Sequence, residues 1–250
     1  MNFYTEFGKV KEKYAKYRPT YPDSLFTEIM SNLKSPYKNA IDLGAGTGLS
    51  TAFLRDNFQK VYAIEPDKSM VNELQKINKN VEIFSCAAEE LEMIEADIDL
   101  ITSGNAFYWM DGEVIISKIY KWLKPNGIFA VYKYNIPTTI SAAEKIISEE
   151  DKKWDEFRHE RLKDKEYSIR TIKNSNLFSD VKVKVIDNTI NLTGEEIVGF
   201  FSSTSYGSAY IRTIDNPDKY IDRLIDKIKN ITNERPIPVN FNLELIITKK

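Results

Sequence analysis

The stretch Ala40-Ile41-Asp42-Leu43-Gly44-Ala45-Gly46-Thr47-Gly48-Leu49 constrains this chain most. A short apolar run ends at an acid. Three glycines follow at alternate positions, and Leu49, Ala52 and Phe53 then fall at the i, i+3, i+4 spacing of a helix face. The pattern predicts a strand, a tight glycine turn and a helix. Glycine suits such a turn because the backbone must take positive φ and let another atom approach closely. A turn of this kind at the carboxyl end of a strand is where an open α/β sheet binds its ligand.

The glycine spacing narrows the ligand. Dinucleotide sites read G-x-G-x-x-G, whereas Gly44, Gly46 and Gly48 read G-x-G-x-G with Asp42 two residues ahead. A pyrophosphate here would lie near the Asp42 carboxylate, and like charges about 4 Å apart repel by about 4 kcal/mol at a surface-like dielectric. A ligand with a positive end is attracted instead. S-adenosylmethionine carries a sulfonium and an ammonium and no phosphate. The stretch resembles the first motif of class I S-adenosylmethionine-dependent methyltransferases, D-x-G-x-G-x-G. The turn by itself also leaves open another doubly wound α/β protein, an NAD-dependent oxidoreductase, and a protein that binds S-adenosylmethionine without transferring its methyl.

Charge and composition exclude other classes. With 35 basic and 37 acidic residues in 250, the chain has no nucleic-acid footprint. One cysteine and one histidine exclude a disulfide and a multi-histidine metal site, so no metal is expected. The N-terminus has no signal-peptide pattern and no run of about 20 apolar residues occurs, so the expectation is a cytoplasmic protein that does not engage membranes.

Further motifs follow in chain order. Val61–Ile64 reads as the second strand, ending at Glu65-Pro66-Asp67, with Asp67 capping a helix that buries Met70, Val71 and Leu74. Glu65 lies 21 residues after Gly44, where an acid meets ribose hydroxyls. Val81–Ser85 is the third strand, followed by Cys86-Ala87-Ala88-Glu89-Glu90-Leu91. Small residues there leave room for an adenine ring, and similar methyltransferases carry A-E-x-L. Cys86 has no histidine placed to activate it and reads as a small buried hydrophobe. Asp99–Thr102 is the fourth strand. Its loop, Ser103 to Asp111, holds Asn105, Phe107, Tyr108 and Trp109 at the expected position of the transferred methyl. Asp111 should cap a helix that buries Val114, Ile115, Ile119 and Trp122.

Leu123–Gly127 resembles the family's L-K-P-G-G turn with Asn126 for one glycine, a residue that tolerates left-handed backbone. Ile128–Tyr134 is the fifth strand. Ser141 and Glu144 read as the capping box of one long helix to about Leu162. Val181–Ile186 is the sixth strand and Phe241–Thr248 the last. Between them, residues 187–236 break the alternation: a Thr193/Glu196 capping box, a polar aromatic loop from Ser202 to Tyr210, and a helix opened by Asn216-Pro217.

Before the first strand, the aromatic segment Phe7 to Pro22 resembles the F…Y…R-P-x-Y-P opening of a subgroup similar to trans-aconitate methyltransferase. That resemblance implies that Tyr14 and Arg18 lie near the cofactor's carboxylate. Members of the subgroup carry a histidine before the tryptophan, where this chain has Tyr108. The expected architecture is thus one α/β domain over 1–250: a doubly wound, Rossmann-like, seven-stranded, mostly parallel sheet with the last strand antiparallel. Residues 1–36 form an N-terminal helical flap, and 187–236 a helical insertion that is a candidate substrate cover.

The expected site follows. Tyr14, Arg18, Asp42, Gly44, Ala45, Gly46, Thr47, Gly48, Glu65, Pro66, Ala87, Ala88, Glu89, Ser103 and Asn105 bind S-adenosylmethionine. Tyr108 and Trp109 orient and wall the transfer, with Tyr108 the polar member. Phe107, Tyr206 and Arg212 meet a small-molecule acceptor, for which the arginines favour an organic acid.

Overall fold

The computed structural model describes residues 16–77, 80–92, 97–178 and 180–250. Their contacts divide into two compact units. One holds residues 20–134, 164–186 and 243–250. In the other, 135–163 and 187–242 fold with the short stretch 16–19.

The first unit is built on a sheet whose central strands are buried on both faces. Its members are β1 (Asn39–Leu43), β2 (Lys60–Ile64), β3 (Val81–Phe84), β4 (Ile98–Gly104), β5 (Leu123–Tyr134), β6 (Asp180–Ile186) and β9 (Leu243–Lys249). The order is β3-β2-β1-β4-β5-β9-β6, parallel from β3 to β5, with β9 antiparallel to both neighbours. This is the expected seven-stranded sheet with its last strand reversed. Alternation along β1 divides the core. Ile41 and Leu43 pack with Ile64, Ile101 and Phe129 on one face. Ala40 packs with Val61, Leu100 and Ile128 on the other.

Helices cover both faces, as a parallel sheet requires. On the Ala40 face lie α1 (Asp23–Met30), through Leu25, Phe26 and Ile29, and α2 (Leu49–Asn57), through Leu54. On the other lie α4 (Gly112–Trp122) and α7 (Tyr167–Asn174), through Ile115, Ile119, Trp122 and Ile172. Between them in sequence, α3 (Lys68–Leu74) is capped by Asp67 and buries Met70, Val71 and Leu74, as expected.

Several expectations are corrected. At the start of α1, Pro22 occupies the cap position and Asp23 is in the first turn. The buried face of α2 is Ser50, Thr51 and Leu54, not Leu49, Ala52 and Phe53. Two hydroxyls turn inward because buried polar groups of the sheet need partners. In α4, Val114 is 44% exposed and Ile116 takes its place in the core. The long helix after β5 is broken into α5 (Glu144–Trp154), a 3-10 turn at Asp155–Phe157 and α6 (Glu160–Lys163). The Ser141/Glu144 box does not form. Glu144 accepts the Thr139 amide at 2.7 Å, and Ser141 Oγ accepts the Ala143 amide at 3.2 Å. The break is held by Arg158, whose guanidinium donates to Asp151 and Asp155 at 2.7 Å each.

In the second unit, α8 (Gly194–Ser202) begins with the expected Thr193/Glu196 capping box. The stretch expected as a polar loop is instead α9 (Ser205–Ile211), opened by Thr204 accepting the Gly207 amide at 3.0 Å. Asn216 caps α10 (Pro217–Thr232) as expected. A two-stranded ribbon of β7 (Thr189–Leu192) and β8 (Ile237–Asn240), not anticipated, closes the unit at its ends. No helix among the described residues is long and apolar enough to cross a membrane.

Candidate cofactor site

Because β1 to β4 run parallel and adjacent, the segments that follow them emerge at one end of the sheet. The glycine turn leaves β1 there. Gly44, Gly46 and Gly48 have φ of 69°, 57° and 95°. The Gly44 and Ala45 amides both donate to the Ile64 carbonyl, at 2.9 and 3.0 Å, and lock the turn to the end of β2. The first and second glycines serve different needs. A Cβ on Gly44 would sit 2.4 Å from Ala106 Cβ, so the residue must be small for packing. Around Gly46 nothing lies within 4 Å of such a Cβ. Its backbone borders open space that a ligand can enter.

Glu65 faces this turn from the end of β2. It is 7% exposed. One carboxylate oxygen accepts the Gly46 amide at 2.8 Å and the other the Asp67 amide at 2.9 Å. Burial pushes its pKa up to about 7 against these two hydrogen bonds, and the nearby charges of Asp67 and Asp42 add to the rise. Pro66 keeps the segment beyond β2 extended, so Glu65 stays free of the helix that Asp67 caps.

Asp42 is not a ligand-facing acid. It is 1% exposed beneath the turn, and its oxygens accept Thr51 Oγ1 at 2.6 Å and Thr102 Oγ1 at 2.9 Å. Burial raises its pKa to about 6, opposed by these hydroxyls. Beside it, the buried Tyr132 hydroxyl donates to Ser50 Oγ at 2.6 Å. Sequence reading missed Ser50, Thr51, Thr102 and Tyr132. The usable signal is register, since Asp42 and Thr102 are direct partners across β1 and β4.

The loop after β4 is likewise redistributed. Because β4 continues to Gly104, Ser103 is an interior strand residue, fully buried, with Oγ donating to the Leu43 carbonyl at 3.0 Å. Asn105 spends its side chain on the protein. Its Nδ2 donates to the Tyr21 hydroxyl and its Oδ1 accepts the Tyr134 amide, both at 3.0 Å. Phe107 is fully buried against Phe129, ring centroids 5.4 Å apart, and is a core residue rather than an acceptor wall. Tyr108 and Trp109 are half-buried on a 3-10 turn, their rings 5.4 Å apart.

After β3, Ala87 is half-buried and Ala88 buried. Glu89 accepts the Asp111 amide at 2.7 Å and so ties this segment to the start of α4. Ala45 is buried and Thr47 half-buried in the glycine turn. Tyr14 lies outside the described residues. In the second unit, the Arg18 guanidinium lies 5.1 Å from the Phe200 ring. That of Arg158 lies 4.3 Å from the ring of Tyr206. Arg212 is exposed at the end of α9.

Known proteins resemble the chain in sequence and in fold. A methyltransferase-domain family matches residues 41–131, from inside β1 into β5. A Dictyostelium discoideum protein described as a methyltransferase is 29% identical over 99% of this chain and 96% of its own. A Saccharomyces cerevisiae protein described as an S-adenosylmethionine-dependent methyltransferase is 29% identical over 52% of this chain and 47% of its own, so the chain spans about half of that relative. Among solved structures, a type II methyltransferase from Anaeromyxobacter dehalogenans superposes with a TM-score of 0.77 at 18% identity, covering 93% of this chain and 98% of that one. The family match spans the glycine turn and the acid after β2. The chain is an S-adenosylmethionine-dependent methyltransferase, with a methyltransferase domain matched over residues 41–131.

Proposed function

We propose that the methyl acceptor is a small molecule, that it is an organic acid, and that the cofactor lies against the glycine turn. The observation that carries the placement is the open side of Gly46 beside the buried carboxylate of Glu65. In this reading the backbone of Gly44–Gly48 receives the cofactor and Glu65 accepts its ribose hydroxyls. Ala87 and Ala88 give room to the adenine, and Arg18 serves the carboxylate end. The cofactor supplies a methyl already activated on a sulfonium. What remains for the protein is to align the acceptor for in-line displacement and to exclude water, effects worth several kcal/mol, about 7 or more in well-aligned cases. Tyr108 orients the acceptor and Trp109 walls it.

An acid is favoured among acceptors because it needs no general base: a carboxylate is already ionised at neutral pH. Arg212 supplies a two-pronged donor suited to it. The Phe7 to Pro22 pattern supports the subgroup similar to trans-aconitate methyltransferase. The test is methyl transfer to a panel of carboxylic acids, phenols and amines. An acid should be converted to its methyl ester, and Arg212→Ala should raise the KM for it about ten-fold, one charge-assisted hydrogen bond's worth. Methylation of a neutral acceptor, unaffected by that substitution, would overturn the acid reading and leave the methyltransferase standing.

A further inference from the structure

We propose that Tyr167, on α7, is a positioning residue for the cofactor turn. The proposal rests on the placement of the cofactor against Gly44–Gly48 given above.

The phenol of Tyr167 straddles Asp111. It donates to the Met110 carbonyl at 2.8 Å and accepts the Gly112 amide at 3.0 Å. Two successive peptide units, one before and one after the cap of α4, are thereby held by one oxygen. Its ring lies 6.3 Å from that of Phe107, which closes the same turn of chain from the core side. Space around the phenol is fully used. A Cβ on Gly112 would come within 2.9 Å of the Tyr167 oxygen and 2.5 Å of Thr171 Cγ2, so α7 and the start of α4 meet backbone to side chain.

The held residue reaches the cofactor turn directly. Met110 Cε lies 3.5 Å from the position of a Cβ on Gly44, and Ala106 Cβ is at 2.4 Å from the same point. The segment from Ala106 to Met110 is thus the floor on which Gly44 rests. Holding the Met110 carbonyl fixes that floor, and Gly44 carries the turn whose next glycine opens to the ligand. Glu89 supports the same point from the segment after β3, through the Asp111 amide. Neither contact needs Tyr167 to touch the cofactor.

The substitution Tyr167→Phe keeps the ring on Phe107 and removes both hydrogen bonds. The experiment measures the Kd of S-adenosylhomocysteine by calorimetry well below the melting temperature, with amide exchange at Met110–Gly112 and the melting temperature itself. Glu65→Ala is measured alongside. The expected result is a rise in Kd of about ten-fold in Tyr167→Phe, faster exchange at Gly112, and a larger loss of affinity in Glu65→Ala. A role confined to stability would lower the melting temperature and leave Kd unchanged. Unchanged Kd in Tyr167→Phe beside weakened binding in Glu65→Ala overturns the positioning role alone. Unchanged binding in Glu65→Ala overturns the placement of the cofactor, and the proposal with it.

Discussion

Replacing Glu65 by glutamine should remove a loss of stability that the ligand-free protein undergoes as pH rises, while weakening cofactor binding. The carboxyl of Glu65 is 7% exposed and titrates at about 7, against an ordinary value of 4.5, with burial the leading cause. Between those two pH values the folded chain keeps a proton that the unfolded chain has released. Stability therefore falls as pH rises through this window and levels off above about 8. At 1.36 kcal/mol per unit, the full loss is about 3 kcal/mol. Glutamine carries no titrating charge; its NH2 cannot accept the backbone amide that one carboxylate oxygen accepts, which lowers the variant's stability by an amount that does not change with pH. From about pH 4 to about pH 8 the difference between the two proteins should move by about 3 kcal/mol in the variant's favour. That change corresponds to about 6–12 °C in melting temperature for a chain of this length. Asp42 is raised in the same direction, to about 6, so both proteins lose stability with pH. The difference between their curves isolates Glu65. Urea denaturation from about pH 4 to 8 measures it. A difference that stays constant across the range, or a variant that weakens relative to wild type as pH rises, would refute the reasoning. It would show that the two backbone hydrogen bonds outweigh burial.

Affinity for S-adenosylhomocysteine should show the opposite pH dependence. If ribose hydroxyls donate to ionised Glu65, affinity rises as pH passes through about 7, and binding near neutral pH releases a proton that calorimetry in two buffers detects; a flat profile would remove Glu65 from the ligand. The glycines should separate packing from access. Gly44→Ala meets Ala106 at 2.4 Å and should destabilise the fold by about 3 kcal/mol or more, read by urea denaturation. Gly46→Ala has space for its methyl, so it should cost only about 1 kcal/mol of backbone strain yet weaken S-adenosylhomocysteine binding; the reverse pattern would contradict both assignments.

Local pattern made the sheet unit legible. Glycine turn, Glu65-Pro66-Asp67, the Asp111 cap and the Asn126 turn all act within a few residues, and the structure has Asn126 at a φ of 66°. Pattern failed where a distant partner decides. Ser50 and Thr51 turn inward because the buried Tyr132 and Asp42 take them as hydrogen-bond partners. Trp154 and Arg158 end a charged helix that periodicity alone would extend, Trp154 through burial and Arg158 through its pairs with Asp151 and Asp155. The stretch from Ser202 to Tyr210 contains four serines and a glycine and reads as loop, yet Thr204 starts a helix there.

Two features of the sheet redistribute the expected site residues. Ser103, Asn105 and Phe107 stand at loop positions in sequence, but β4 runs two residues beyond the expected end, which turns Ser103 into the sheet and brings Asn105 against the backbone of Tyr134. Asp42 was read as facing ligand because it precedes the glycines. Yet strand alternation puts Asp42 and Ala40 on one face, opposite Ile41 and Leu43. Thr51 and Thr102 then complete its hydrogen bonds. What lies under the turn is thus a buried polar layer with its bonds made inside the protein, and such a layer specifies one geometry when satisfied. Glu65 differs from it. Its two partners are backbone amides at the rim of the turn, and Gly46 beside it is open. A carboxylate held there is pre-placed for hydroxyl donors. Its burial, which raises its proton affinity when the site is empty, makes ligand donors worth more than they would be in water.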